Sequence, residues 1–173
     1  MGPMREYFPY DGERHAVYVS EDVDWSLAVH KVGVESADGV ELATFAYSRD
    51  DDGTLLASVK WASDDDGVRV AAVAEGTGDF VTYDPPVALT IDYMGAGDTV
   101  ETSTGGASWT STYLGQETVD LAWGVTWEGV VHVALEGGDA FFAGEYWLAR
   151  GYGPALMEID GVLWDLYDYD WDP

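Results

Sequence analysis

Apolar and polar residues alternate with a period of two along most of the chain, the pattern of strands that bury one face. In Thr54 to Trp61 the apolar set is Leu55, Ala57, Val59 and Trp61, with Thr54, Ser58 and Lys60 between them. Val87, Leu89, Ile91 and Tyr93 alternate with Ala88, Thr90 and Asp92 in the same way. The longest example sets Val125, Trp127, Gly129, Val131, Val133 and Leu135 against Thr126, Glu128, Val130, His132, Ala134 and Glu136. No stretch carries a sustained 3.6-residue period with caps.

Turn signals punctuate these runs: Asp38-Gly39, Asp52-Gly53, Asp66-Gly67, Gly76-Thr77-Gly78, Gly95-Ala96-Gly97, Gly105-Gly106, Gly137-Gly138 and Asp160-Gly161. Asp-Gly supplies the positive φ that tight hairpins demand, so the links are antiparallel. The pattern predicts on the order of ten strands. So many antiparallel strands need their edges closed or covered. The predicted fold is therefore one all-β antiparallel domain over residues 7–173, a strongly curved sheet, an up-and-down barrel or a sandwich. Met1 to Glu6 read as an N-terminal extension or an expression scar. The stretch EYWLARGYGPALMEID predicts two strands, Tyr146 to Ala149 and Ala155 to Ile159, around a corner. There Gly151 and Gly153 take φ values closed to other residues, Pro154 opens the next strand, and Arg150 pairs with an acid.

Charge changes the picture next. The chain has 173 residues with 33 acids against 7 bases, a formal net charge of −26. Phosphate backbones and anionic lipid surfaces are repelled, so direct nucleic-acid binding is not expected. The acids are scattered, which predicts a solvated, halotolerant surface; the sharper reading is an acidic decoy, a DNA mimic for a basic partner protein. With no cysteine, disulfides and thiolate metal sites are excluded. No apolar run approaches the ~20 residues of a membrane-spanning helix.

Candidate chemistry is thin. Placing Gly53 or Gly67 at the sixth position of a calcium loop leaves Ser48 or Ala62 first and Val59 or Val73 last, so both EF-hand readings fail. Weak cation attraction at Asp50, Asp52, Asp64 and Asp66 remains, against hairpin tips where Asp suits the turn. His15, His30 and His132 lack the short spacings of a metal motif, and His132 falls on the polar side of its strand. Ser108 lacks the second glycine and strand-to-helix context of a nucleophile elbow. Gly151-Tyr152-Gly153 is no phosphate loop. No cofactor, metal or catalytic residue is predicted. The aromatics serve mainly as core, and the residues best suited to face a ligand are Trp127, Tyr146, Trp147, Arg150, Tyr152 and Trp164. The tail LWDLYDYDW carries aromatics on both faces, which suits a covered strand or a docking edge for a partner.

Several short signatures fall in a familiar order. Tyr7-Phe8-Pro9-Tyr10-Asp11-Gly12 with Tyr18, Pro85-Pro86-Val87-Ala88-Leu89 before Gly97-Asp98, Leu114 to Val119 with Gly124 and Trp127, and Tyr146 to Pro154 together resemble uncharacterised bacterial lipoprotein-like β domains, sometimes called TapB-like. The resemblance spans roughly residues 7–160. His15-Ala16-Val17 stands where that family has a tryptophan, and no lipid-accepting cysteine is present. The resemblance implies an exported antiparallel β domain with no established activity, hence a non-catalytic binding or structural module at or outside the cell envelope. The alternatives are a carrier enclosing an apolar small molecule, the acidic decoy and, for location, the cytoplasm.

Overall fold

The computed structural model describes residues 4–172, with side chains as far as Asp170. After a 3-10 turn at Met4–Glu6 come twelve strands: β1 (Glu13–Val19), β2 (Leu27–Ala37), β3 (Val40–Arg49), β4 (Leu55–Asp64), β5 (Gly67–Glu75), β6 (Val81–Ile91), β7 (Thr99–Thr104), β8 (Ala107–Asp120), β9 (Thr126–Gly137), β10 (Gly144–Ala149), β11 (Gly153–Ile159) and β12 (Val162–Asp172). All are antiparallel in one sheet of order β6-β5-β4-β3-β2-β1-β12-β11-β10-β9-β8-β7. The alternation thus gives the right class and connectivity, with twelve strands where about ten are predicted.

The sheet curls until β6 and β7 face each other, making a nearly closed barrel. Side chains bridge the seam: Ala88 N donates to Thr102 Oγ1 (3.3 Å), and Ser111 Oγ donates to Leu89 O. Pro85 and Pro86 lie on β6, an edge strand that tolerates missing amide donors. The Asp38-Gly39 and Asp160-Gly161 turns take positive φ at both residues, as two-residue hairpins require.

Inward residues fill the barrel. Trp61 on β4 and Tyr146 on β10 meet from opposite walls with ring centroids 6.2 Å apart, so no lumen remains between them. Trp109 stacks on Phe142 at 5.1 Å, and Phe8 packs on Trp61 at 4.7 Å. Val87 and Leu89 are fully buried, but Ile91 and Tyr93 are exposed. β6 ends at Ile91 and Met94 returns to the core in their place.

Met4 to Glu6, which sequence assigns to an extension, are built into the fold. Met4 is completely buried and Tyr7 and Phe8 nearly so, stopping the mouth where β1 begins. Met4 N donates to Asp92 Oδ1 (3.0 Å), Gly151 N donates to Glu6 O (2.6 Å), and Tyr10 Oη donates to Ser63 O (3.0 Å). Met4 is the apolar side chain of the turn, and a hexapeptide with no alternation does not advertise its burial.

β8 and β9 outrun their neighbours: β9 pairs with β10 only as far as Val131, and β8 with β7 only as far as Thr112. Beyond that they form a two-stranded arm with register shifts between Tyr113 and Gly115 and between Glu117 and Val119. Its tip reaches β12, where Ala122 N donates to Asp165 Oδ1 (3.2 Å) and Trp123 Nε1 to Leu166 O (2.8 Å).

Candidate functional site

The stopped mouth gathers the most varied chemistry. The 150–153 corner turns there, with Gly151 at φ +83° and Gly153 at φ +93°, a region β-carbons disfavour. Nothing stands within 4 Å of where a β-carbon would lie on either glycine, so backbone conformation alone explains both. Arg150 is ion-paired with Glu6 at 2.6 Å, answering the expectation that it finds an acid.

Beside the corner lies an apolar recess of about 50 Å³, lined among others by Phe8, Tyr18, Phe45, Tyr47, Tyr152 and Met157. Burial pushes the Tyr18 and Tyr47 hydroxyls well above their ordinary range, so both stay neutral. Tyr18 Oη donates to Pro154 O (2.8 Å). The recess adjoins an open basin of about 600 Å³ whose rim carries Arg5, Arg14 and Arg150 together with Glu6, Asp11 and Glu41. Arg5 pairs with Asp65 (3.2 Å) and Arg14 with Asp11 (3.8 Å). Three cations in one basin are a concentration in a chain with 7.

The six residues expected to face a ligand separate into three settings. Trp127 and Tyr152 meet edge to face at 4.6 Å, and Tyr152 meets Tyr169 at 5.0 Å, an aromatic chain running from the arm to the recess. Arg150 stands next to them on the basin rim. Tyr146 and Trp164 belong to the core instead: each is almost fully buried, Tyr146 Oη donates to Phe142 O (2.5 Å), and Trp164 packs on Trp25 at 4.8 Å. Period-two alternation turns both inward, which removes them from any surface site.

Trp147 takes part in a third grouping that sequence reasoning missed. It stacks on His132 at 4.2 Å on the outer face of β9 and β10, while His132 Nδ1 lies 2.8 Å from Glu117 and Nε2 2.7 Å from Glu145. Trp147 Nε1 donates to Glu117 as well (2.5 Å). Both ring nitrogens are taken up by carboxylates, so the cluster clasps β8, β9 and β10 together. His132 and Trp147 are register partners, a relation visible only once the hairpin length is known.

At the two DDDG tips the Asp51, Asp52 and Asp64 carboxylates are engaged internally. Asp51 binds Arg49 through both oxygens (3.0 and 2.8 Å), Asp52 Oδ1 accepts from Thr54 N (2.8 Å), and Asp64 accepts from Asp66 N (2.9 Å) while pairing with Arg69. Hydrogen bonds from Arg49 and Thr54 hold Asp51 and Asp52 below the usual carboxylate range. The tips lie at opposite ends of the barrel and do not combine. Ser108 is bound side chain to side chain with Ser103 (3.4 Å) across the β7–β8 hairpin, the setting of a cross-strand pair. No family model matches the chain, and neither a curated protein nor a solved structure matches it.

Proposed function

We propose that the chain is a non-catalytic binding module acting at or outside the cell envelope, and that its ligand seats at the stopped mouth. The observation that carries this is the union of an apolar recess with a basin bearing Arg5, Arg14 and Arg150. In a molecule of net charge −26, a rim on which three arginines offset Glu6, Asp11 and Glu41 repels an anionic head group less than an uncompensated acidic surface does. The recess, at about 50 Å³, takes a short apolar or aromatic group. A carrier of long apolar chains would need Phe8 and its neighbours to leave, because the walls already meet at Trp61 and Tyr146. The resemblance to lipoprotein-like β domains supports the envelope setting. Acids at Asp50 to Asp52 on one end and Asp64 to Asp66 on the other favour a generally solvated acidic surface over a decoy with one phosphate-like face.

Titration with 1-anilinonaphthalene-8-sulfonate, an anionic aromatic, tests the reading. Saturable one-to-one binding with blue-shifted emission is expected, weakened several-fold by Arg150→Glu and by Tyr152→Ala. No saturable binding, or binding indifferent to both changes, would overturn it. A measurable turnover lost on alanine replacement of Arg150, His15 or His132 would count against the non-catalytic part.

A further inference from the structure

A different surface carries its own chemistry. On the outer face of β2, β1 and β12, His30, His15 and Asp170 stand side by side in one row: His15 is the register partner of His30 on one strand and of Asp170 on the other. The two imidazole centroids are 6.4 Å apart, and the three residues share an open depression of about 460 Å³ with Glu13, Arg14 and Lys31.

The cations in that depression are turned to other work. Lys31 Nζ donates to Tyr10 O (2.7 Å) and to Gly12 O, and Arg14 donates through Nε to Asp11 O (3.1 Å) and through a terminal nitrogen to Gly151 O (3.3 Å). Directly opposed residues of antiparallel strands have β-carbons about 4.5–5.5 Å apart, within reach of one ion held at roughly 2.0–2.1 Å by each ring.

We propose that His15 and His30 form a surface site for a borderline transition-metal ion, Cu²⁺ before Ni²⁺ and Zn²⁺, with Asp170 swinging in as a third, carboxylate ligand. Imidazole selects these ions over Ca²⁺ and Mg²⁺, and the Irving–Williams order ranks them. Among the described residues no three His, Asp or Glu groups stand around one point, so the proposed site requires the two imidazoles and Asp170 to rotate before they can share an ion. The net charge of −26 adds a long-range attraction for any cation approaching this face.

The test is a Cu²⁺ titration of the full chain in a non-coordinating buffer, followed by calorimetry and electron paramagnetic resonance. One saturable equivalent with hyperfine structure from two imidazole nitrogens is expected, not displaced by excess Ca²⁺. His15→Gln and His30→Gln should each weaken binding by about tenfold or more, since losing even a residue that only supports a ligand costs about 10–100-fold. Asp170→Asn should weaken it less, and His132→Gln should leave it unchanged. Circular dichroism of each variant confirms the fold, which these outward-facing positions do not support. An oxygen-only spectrum with several weak equivalents, or unaltered affinity in the His15→Gln/His30→Gln double variant, would overturn the site.

Discussion

At Gly144 the backbone of β10 runs closer to β11 than any side chain permits. An added β-carbon there would lie 1.8 Å from Glu158 O, and φ stands at +148°. Gly144→Ala must therefore push two paired strands apart as well as strain its own backbone, and strain and overpacking each cost about 1–3 kcal/mol. A loss of about 3 kcal/mol is expected by urea denaturation. Gly151 and Gly153 have equally unusual φ but open space around them, so Gly151→Ala should cost only the backbone part, about 1–2 kcal/mol. If the two substitutions proved equally damaging, close approach would not be what fixes Gly144. Both glycines of the corner are legible in the sequence because turn chemistry is local. Gly144 is not, because its constraint comes from Glu158 on the neighbouring strand.

Among the elements, the β8–β9 arm does what its sequence conceals. Alternation over Val125 to Leu135 reveals a strand with one buried face but cannot say what covers the other. Val130, on the polar side of that pattern, is completely buried where the arm folds back. The same blindness hides the meeting of Trp127 with Tyr152 and the His132 clasp, since both depend on register shifts and a fold-back that no local pattern encodes. The arm's anchorage on β12 rests partly on Asp165, a residue only 7% exposed, whose carboxylate receives one backbone donor, Ala122. Burial first, and Glu21 after it, raise the Asp165 carboxyl above its ordinary value, while Ala122 N offsets part of this. Charge on a group raised in the folded state opposes folding. The penalty is absent below the unfolded value, about 3.9 for Asp, grows as pH rises between the unfolded and folded values, and is complete above the folded one. Asp165→Asn keeps the acceptor and removes the charge, so at neutral pH the variant should be the more stable of the two. The difference between variant and parent in urea midpoints should shrink as pH falls through the raised carboxyl range. A difference that grew towards acid would reverse the sign assigned to this group.

At the scale of the molecule, one closed hydrophobic interior works against a diffuse self-repulsion. The strand order runs continuously from β6 through β1 and β12 to β7, so burial is shared round the whole barrel and every wall contributes to the same core. Against it stand 33 acids and 7 bases. The bases are already committed to specific partners such as Asp65, Glu6, Glu35 and Asp51, which leaves most carboxylates facing only one another through solvent. Salt screens attraction within the pairs and repulsion among the rest alike. The pairs are few and at the surface, where each contributes about 0–1 kcal/mol, while the repulsive terms are many and long-ranged. The Debye length falls from about 10 Å at 0.1 M to about 3 Å at 1 M, so repulsion across the barrel surface fades before contact pairs do. The melting temperature should therefore rise by several degrees between 20 mM and 1 M sodium chloride at neutral pH, most steeply in the lower part of that range. Neutralising the acids must have the same sign: at pH near 4, where about half of ordinary carboxylates are protonated, the salt dependence should be shallower, because fewer charges remain to be screened. A melting temperature flat or falling with sodium chloride at neutral pH would mean that the ion pairs, not the surplus of acids, dominate the electrostatics of the fold.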